Sequence, residues 1–234
     1  KKVKGKKYDA LLCLLTNKID AAVMDACGPQ LKVISNYAVG FDNIDVATAQ
    51  KKGVAVTNTP APEVSTSVAE HTFALMLSLS RRVVEADRYS RTGKYHGWDP
   101  DLLVGSDLHD KLLGLVGMGR IAKEVVKYAH DGFGMRIIYT DMRRDKDFET
   151  QYHARFMTLE KLLQTSDIVS LHVPLLPSTR HLMDAKTLRL MKKTAMLVNT
   201  ARGPIVDEKA VLKALYTKRL GGFALDVFEC EPDN

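Results

Sequence analysis

"LLGLVGMGRIA" (residues 112–122) decides how this chain is read. An apolar run of strand length ends in Gly117-x-Gly119-x-x-Ala122, and an amphipathic stretch follows it. The first glycine permits a tight turn, and the second lets backbone approach a pyrophosphate. The third position must be small for helix and strand to pack, as Ala122 is. Alone the pattern is weak, because glycines often end strands. Its context carries it: a strand before, a helix after, and Asp141 closing the next apolar run. A carboxylate there accepts hydrogen bonds from the ribose diol of a dinucleotide and repels the 2′-phosphate of NADP. Arg143 and Arg144 follow in "TDMRRD" and offer cations to that phosphate. NAD is therefore the expected cofactor, with NADP as the alternative.

Outward from this turn, apolar runs alternate with helix-like segments. The strand candidates are "KLLGLVG" (111–117), "MRIIYTD" (135–141), "DIVSLHV" (167–173), "TAMLVNT" (194–200) and "GGFALDV" (221–227). Helical segments near 120–130, 158–165, 184–191 and 207–217 join them. Five strands with crossover helices predict an α/β fold, a doubly wound parallel sheet of Rossmann type. An earlier block, "DALLCLL" (9–15), "LKVISNY" (31–37) and "GVAVTN" (53–58), has helices near 18–27 and 45–52. It predicts a smaller α/β domain. The expected division is 1–62 and 63–234.

Between the blocks, "TPAPEVSTS" (59–67) marks a break and a candidate hinge. "SVAEHTFALMLSLSRR" (67–82) follows as a helix. Ser67 and Glu70 suggest a capping box at its start, and Arg81 and Arg82 would sit at its negative end. Its middle is apolar nearly all round, so burial is expected. Residues 83–110 are polar and irregular and hold the only tryptophan, Trp98. Such an excursion reads as a subunit-contact arm or a surface loop.

Composition narrows the classes. The chain has 234 residues, 45% hydrophobic and 26% charged, as expected of a soluble globular protein. No apolar run reaches membrane-spanning length, and no signal-peptide pattern opens the chain. Three scattered cysteines (Cys13, Cys27, Cys230) argue against a disulfide framework and for a cytoplasmic setting. Much of the net charge of +6 lies in "KKVKGKK" (1–7). No aromatic residues interleave with it, so a solvated lysine segment is expected rather than a nucleic-acid site. No metal site is identified.

Taken together, "NYAVGFDNID" (36–45), "VGMGRI" (116–121), "SLHVPLLPSTRHL" (170–182), "VNTARGPIVDEKAV" (198–211) and "ALDVFECEP" (224–232) resemble the D-isomer-specific 2-hydroxyacid dehydrogenases. The resemblance covers essentially the whole chain. "NYAVGFDNID" and the Trp98 arm look most like the glyoxylate and hydroxypyruvate reductase branch. The resemblance implies a flavodoxin-like substrate domain that is normally completed by a C-terminal segment, and a homodimer through the 67–110 region. The implied reaction reduces a small 2-ketoacid, glyoxylate or hydroxypyruvate, to its D-2-hydroxyacid with NAD(P)H.

Arg202 matches the family's catalytic arginine. A planar guanidinium suits a 2-ketoacid because it can hold carboxylate and carbonyl oxygen together. The family's substrate loop falls on Val39 and Gly40, whose backbone N–H groups would hold the carboxylate. The cofactor would lie along Gly117, Met118, Gly119, Arg120 and Ile121. Asp141, Met142 and Arg143 would take its adenosine end, with His172, Pro174 and Thr179 beside it. Thr200, Ala201 and Arg202 would line the nicotinamide pocket, and Asp226 would accept a hydrogen bond from the carboxamide. Glu231 matches the catalytic glutamate, which holds a histidine and raises its pKa. In the family that histidine sits in a "P-H-x-G" turn, which none of the 234 residues supplies. The opening strand and helix are not seen either, so a piece of a longer protein is expected. Two other readings share the fold: a phosphoglycerate dehydrogenase, for which no extra cations stand near Val39 and Gly40, and a dinucleotide-sensing corepressor scaffold.

Overall fold

The computed structural model describes residues 7–229. Contacts divide the chain between Val64 and Ser65. In the first unit β1 (Ala10–Cys13), β2 (Val33–Asn36) and β3 (Ala55–Thr57) form a parallel sheet in that order. The crossovers are α1 (Ala21–Cys27) and α2 (Val46–Lys51). Both helices start on an aspartate: Asp20 accepts from the Val23 N–H and Asp45 from the Thr48 N–H. Each cap satisfies an amide that the first helical turn leaves without a partner. Ile34, Met24, Cys27 and Ala49 form the centre of this small core.

The division falls in the first turn of α3 (Pro62–Ser80); the rest of α3 and α4 (Val83–Arg91) precede the six-stranded sheet of the second unit. Its strands are β4 (Leu112–Val116), β5 (Arg136–Thr140), β6 (Arg155–Phe156), β7 (Ile168–Leu171), β8 (Met196–Asn199) and β9 (Gly222–Leu225). They run parallel in the order β6-β5-β4-β7-β8-β9, so the order reverses between β4 and β7. The connecting helices are α5 (Arg120–Lys127), α6 (Lys146–Tyr152), α7 (Leu159–Thr165), α8 (Ala185–Leu188) and α9 (Glu208–Tyr216). Alternation along β4 fills both faces: Leu113 and Leu115 join α3 and α5, whereas Val116 joins the core with α7 and α9. A sheet covered on both sides needs such continuous apolar strands.

Four sequence expectations change. The first helix of the second unit starts at Pro62, so Ser67 and Glu70 lie within it and form no capping box. Proline favours the first helical turn, where its missing N–H costs nothing, so the expected hinge segment is partly helical. The segment after Arg82 is not wholly irregular, since α4 occupies Val83–Arg91. Arg82 bonds Glu85 and Arg91 bonds Asp87 along that polar helix. The sheet has six strands rather than five, because β6 is only two residues long and shows no periodicity. The helix after the glycine turn ends at Lys127 and continues as one wide π turn over Tyr128–Gly132.

Candidate active site

Within the second unit, the strand ends that carry candidate residues all lie on the carboxyl edge of its parallel sheet. Gly117 follows β4 with φ of +91°, a left-handed conformation that costs a side chain dearly. A Cβ there would lie 2.8 Å from the His172 carbonyl oxygen, so two strand ends close tightly together. Gly119 is the N-cap of α5, and no side chain caps that helix. A Cβ on Gly119 would meet nothing within 4 Å. The turn therefore leaves open space in front of uncapped helix N–H groups, which suits a phosphate.

Asp141 stands just past β5. Its Oδ2 accepts from the Met118 N–H and its Oδ1 from the Met142 N–H, both at 2.6 Å. These bonds hold the carboxylate against the glycine turn and draw Met118's amide away from any phosphate. Met142 itself is 96% exposed. A pocket of about 490 Å³ adjoins Met118, Asp141 and Arg143. The two arginines differ: Arg144 makes paired bonds to Glu149 and lies over the Phe156 ring. Arg143 makes no ion pair among the described residues. The Asp141 carboxylate is thus fixed beside the glycine turn, while one of the two candidate phosphate cations is engaged elsewhere.

His172 follows β7, and its Nε2 bonds the Ser170 hydroxyl at 2.9 Å. Burial of the ring pushes its pKa down from 6.5 to about 4. The imidazole is therefore neutral at physiological pH and poorly suited to donate a proton. As pH falls, the unfolded chain takes up this proton first. The stability that neutral His172 contributes is complete above about pH 6.5 and is lost towards pH 4. The loss should reach about 1–3 kcal/mol. Wild-type urea midpoints should fall more steeply across this window than those of His172→Gln; equal slopes would contradict it. Pro174 and Thr179 lie in the next loop, where the Thr179 hydroxyl donates to the Pro174 carbonyl and accepts from the Leu176 N–H. Thr179 thus shapes the loop.

At the end of β8, Asn199 organises the turn that bears Arg202. Its Oδ1 accepts from the Ala201 N–H, and its Nδ2 donates to the Arg202 carbonyl. Arg202 is half-buried, and its Nη1 donates to the Ala201 carbonyl at 2.7 Å. Gly203 packs so closely on the Phe228 carbonyl and Glu229 amide that a Cβ would overlap them. The arginine turn is therefore seated against the segment running on from β9. Asp226, just past β9, is tied back by its N–H to the Asn199 carbonyl.

Two residues of α3 reach these strand ends, and sequence reasoning assigned them no role. His71 Nε2 lies 3.3 Å from Asp226 Oδ1. The Thr72 hydroxyl donates to the Val68 carbonyl, so it accepts from the Thr200 hydroxyl, 2.9 Å away. Thr200's hydroxyl proton is thereby committed to the protein interior. Asn199 was readable in principle, since asparagine after a strand often bonds the backbone two residues on. His71 and Thr72 gave no such local sign.

Glu231 lies outside the described residues. Glu229 beside it bonds His181 Nε2 at 2.6 Å and Arg180 at 3.0 Å. Val39 and Gly40 lie in the first unit, in the loop after β2.

The strand order, glycine turn and carboxylate define a dinucleotide-binding α/β domain. The sequence model of the D-isomer specific 2-hydroxyacid dehydrogenase NAD binding domain matches residues 73–234. A glyoxylate reductase from Korarchaeum cryptofilum is 51% identical over 228 residues, covering 97% of this chain and 68% of that protein. A Thermus thermophilus protein structure matches with a TM-score of 0.89 at 42% identity, covering 99% of this chain and 71% of that one. The D-lactate dehydrogenase of Aquifex aeolicus, solved with NAD and lactic acid, also gives 0.89, at 33% identity, covering 97% of this chain and 66% of that one. The chain belongs to the D-isomer specific 2-hydroxyacid dehydrogenase family, and residues 73–234 are its NAD-binding domain. It spans about two thirds of the length of these relatives.

Proposed function

We propose that the protein reduces glyoxylate to glycolate, using NADH. The reading rests on one observation above others: an arginine turn at the carboxyl edge of an NAD-binding sheet, in a chain half identical to a glyoxylate reductase. Bound NADH supplies the hydride for the carbonyl carbon. Arg202 holds the substrate carboxylate and withdraws charge from the carbonyl oxygen through parallel N–H donors. In the first unit, the Val39 and Gly40 amides bind the carboxylate. Glu231 pairs with the proton-donating histidine and raises its pKa, so that it carries a proton at neutral pH. Asp226 accepts from the carboxamide and fixes the ring face presented. Gly119, Arg120 and Ile121 hold the pyrophosphate, and Asp141 holds the ribose diol.

The direct test is NADH oxidation by the full-length enzyme with glyoxylate and hydroxypyruvate, alongside NADPH. Turnover with glyoxylate and NADH is expected. NADH binding without turnover on either ketoacid would instead favour a sensor.

The enzyme is a homodimer through the 67–110 region. Supporting this, Val83, Val84, Trp98 and Val104 all lie half or more exposed there. A pocket of about 810 Å³ opens between Leu75, Leu79, Val84, Val104 and Phe223. Apolar surface of this extent is better covered than wet. Light scattering should report a dimer for the full-length protein and a monomer for Val84→Glu. A monomeric wild type would overturn the assignment.

A further inference from the structure

The loop after β2 is held by its carbonyls. The Ala38 oxygen accepts from the Thr59 N–H at 3.0 Å. The Val39 oxygen accepts from Asn58 Nδ2, and the Gly40 oxygen from Asn36 Nδ2, both at 2.7 Å. Three successive carbonyls are thus fastened to the protein. Among the described residues, the N–H groups of Ala38, Val39 and Gly40 have no acceptor. Carbonyls fixed in this way give the intervening amides a set direction as donors.

The side chain behind Gly40 is itself fixed. Asn36 is fully buried; its Oδ1 accepts from the Cys13 thiol at 3.2 Å, and its second Nδ2 proton goes to Asn43 Oδ1 at 3.1 Å. Burial pushes the Cys13 thiol pKa up, so the sulfur keeps its proton and remains a donor. The thiol donor on Oδ1 and the Asn43 oxygen on Nδ2 together turn the amide nitrogen towards Gly40. Asn43 in turn donates to the Leu14 and Asn17 carbonyls, both at 3.0 Å. The chain of bonds runs from β1 through Asn43 and Asn36 to the loop, and Asn58 grips the loop from beyond β3.

We infer that Asn36 and Asn58 are positioning residues, which hold the Val39 and Gly40 carbonyls so that their amides are preset for the substrate carboxylate. They touch backbone and not substrate. The inference rests on the proposed reading of this loop as the carboxylate site. A loop whose orientation is fixed beforehand spends less binding energy on ordering itself. The readout should accordingly fall on KM for carboxylate substrates.

Asn58 is only partly buried, so its replacement should leave the fold intact. Asn58→Leu is close to isosteric, carries no charge and cannot donate. In the full-length enzyme it should raise KM for glyoxylate about tenfold, the scale of one hydrogen bond to a carbonyl. NADH affinity, followed by fluorescence, and KM for methyl glyoxylate should each stay within about twofold. An unchanged KM for glyoxylate, with wild-type turnover intact, would overturn the clamp alone. Equal losses on glyoxylate and its methyl ester would also overturn it, because a general packing defect does not distinguish a carboxylate. A wild-type enzyme that binds NADH yet leaves glyoxylate unreduced would overturn the reaction and the clamp with it. Asn36→Leu should repeat the pattern where it folds.

Discussion

Arg202→Ala in the full-length enzyme should lower kcat/KM for glyoxylate by about 10³- to 10⁴-fold. The loss combines a carboxylate contact with a donor to the oxygen on which charge develops. Arg202→Lys should recover only part, because an ammonium cannot make two parallel bonds. Folding should survive, since the side chain is half-buried and its Nη1 bond runs to the neighbouring Ala201 carbonyl. The turn is held instead by Asn199 and by the contact of Gly203 with Phe228. NADH affinity should change by no more than about threefold. A steady-state assay beside a fluorescence titration measures both quantities. A loss under tenfold in kcat/KM would remove Arg202 from the chemistry.

Gly117→Ala should nearly abolish dinucleotide binding. The added methyl meets the His172 carbonyl at 2.8 Å and Val173 Cγ1 at 2.9 Å, at a φ of +91°. Relief requires moving one strand end away from another. A destabilisation of about 2–4 kcal/mol is expected from strain and overpacking together. NADH affinity should fall about 100-fold or more as the turn is displaced. Gly119→Ala is the informative partner. Its methyl enters open space at an ordinary φ of −80°, so stability should be unchanged. Binding should still weaken, because that space is where the pyrophosphate is proposed to lie. Tight NADH binding by Gly119→Ala would place the phosphates elsewhere.

Much of the second unit was readable because its signals are local. A buried parallel strand is a continuous apolar run, and "LLGLV" followed by Gly-x-Gly shows its own end. Asp141 was readable for the same reason, as the residue closing the next such run. Where the local signal is weak, sequence and structure differ. β6 is too short for any periodicity, and its pairing with β5 depends on Ile138 and Tyr139 opposite. The start of α3 is obscured locally, because Ser67 and Glu70 have the spacing of a capping pair inside the helix. Pro62 begins the helix, and Ala69, Phe73 and Met76 of the same helix are anchored in the core.

The sequence by itself determined five of the six strands, the glycine turn, the carboxylate after β5 and the arginine after β8, because each is written within a few neighbouring residues. Only the tertiary structure decided how those groups are held. Thr72 meets Thr200, and His71 meets Asp226, across more than a hundred residues of chain. Asn58 meets Val39 from the far side of a strand. Such contacts arise from the packing of whole elements, and no spacing in the chain encodes them.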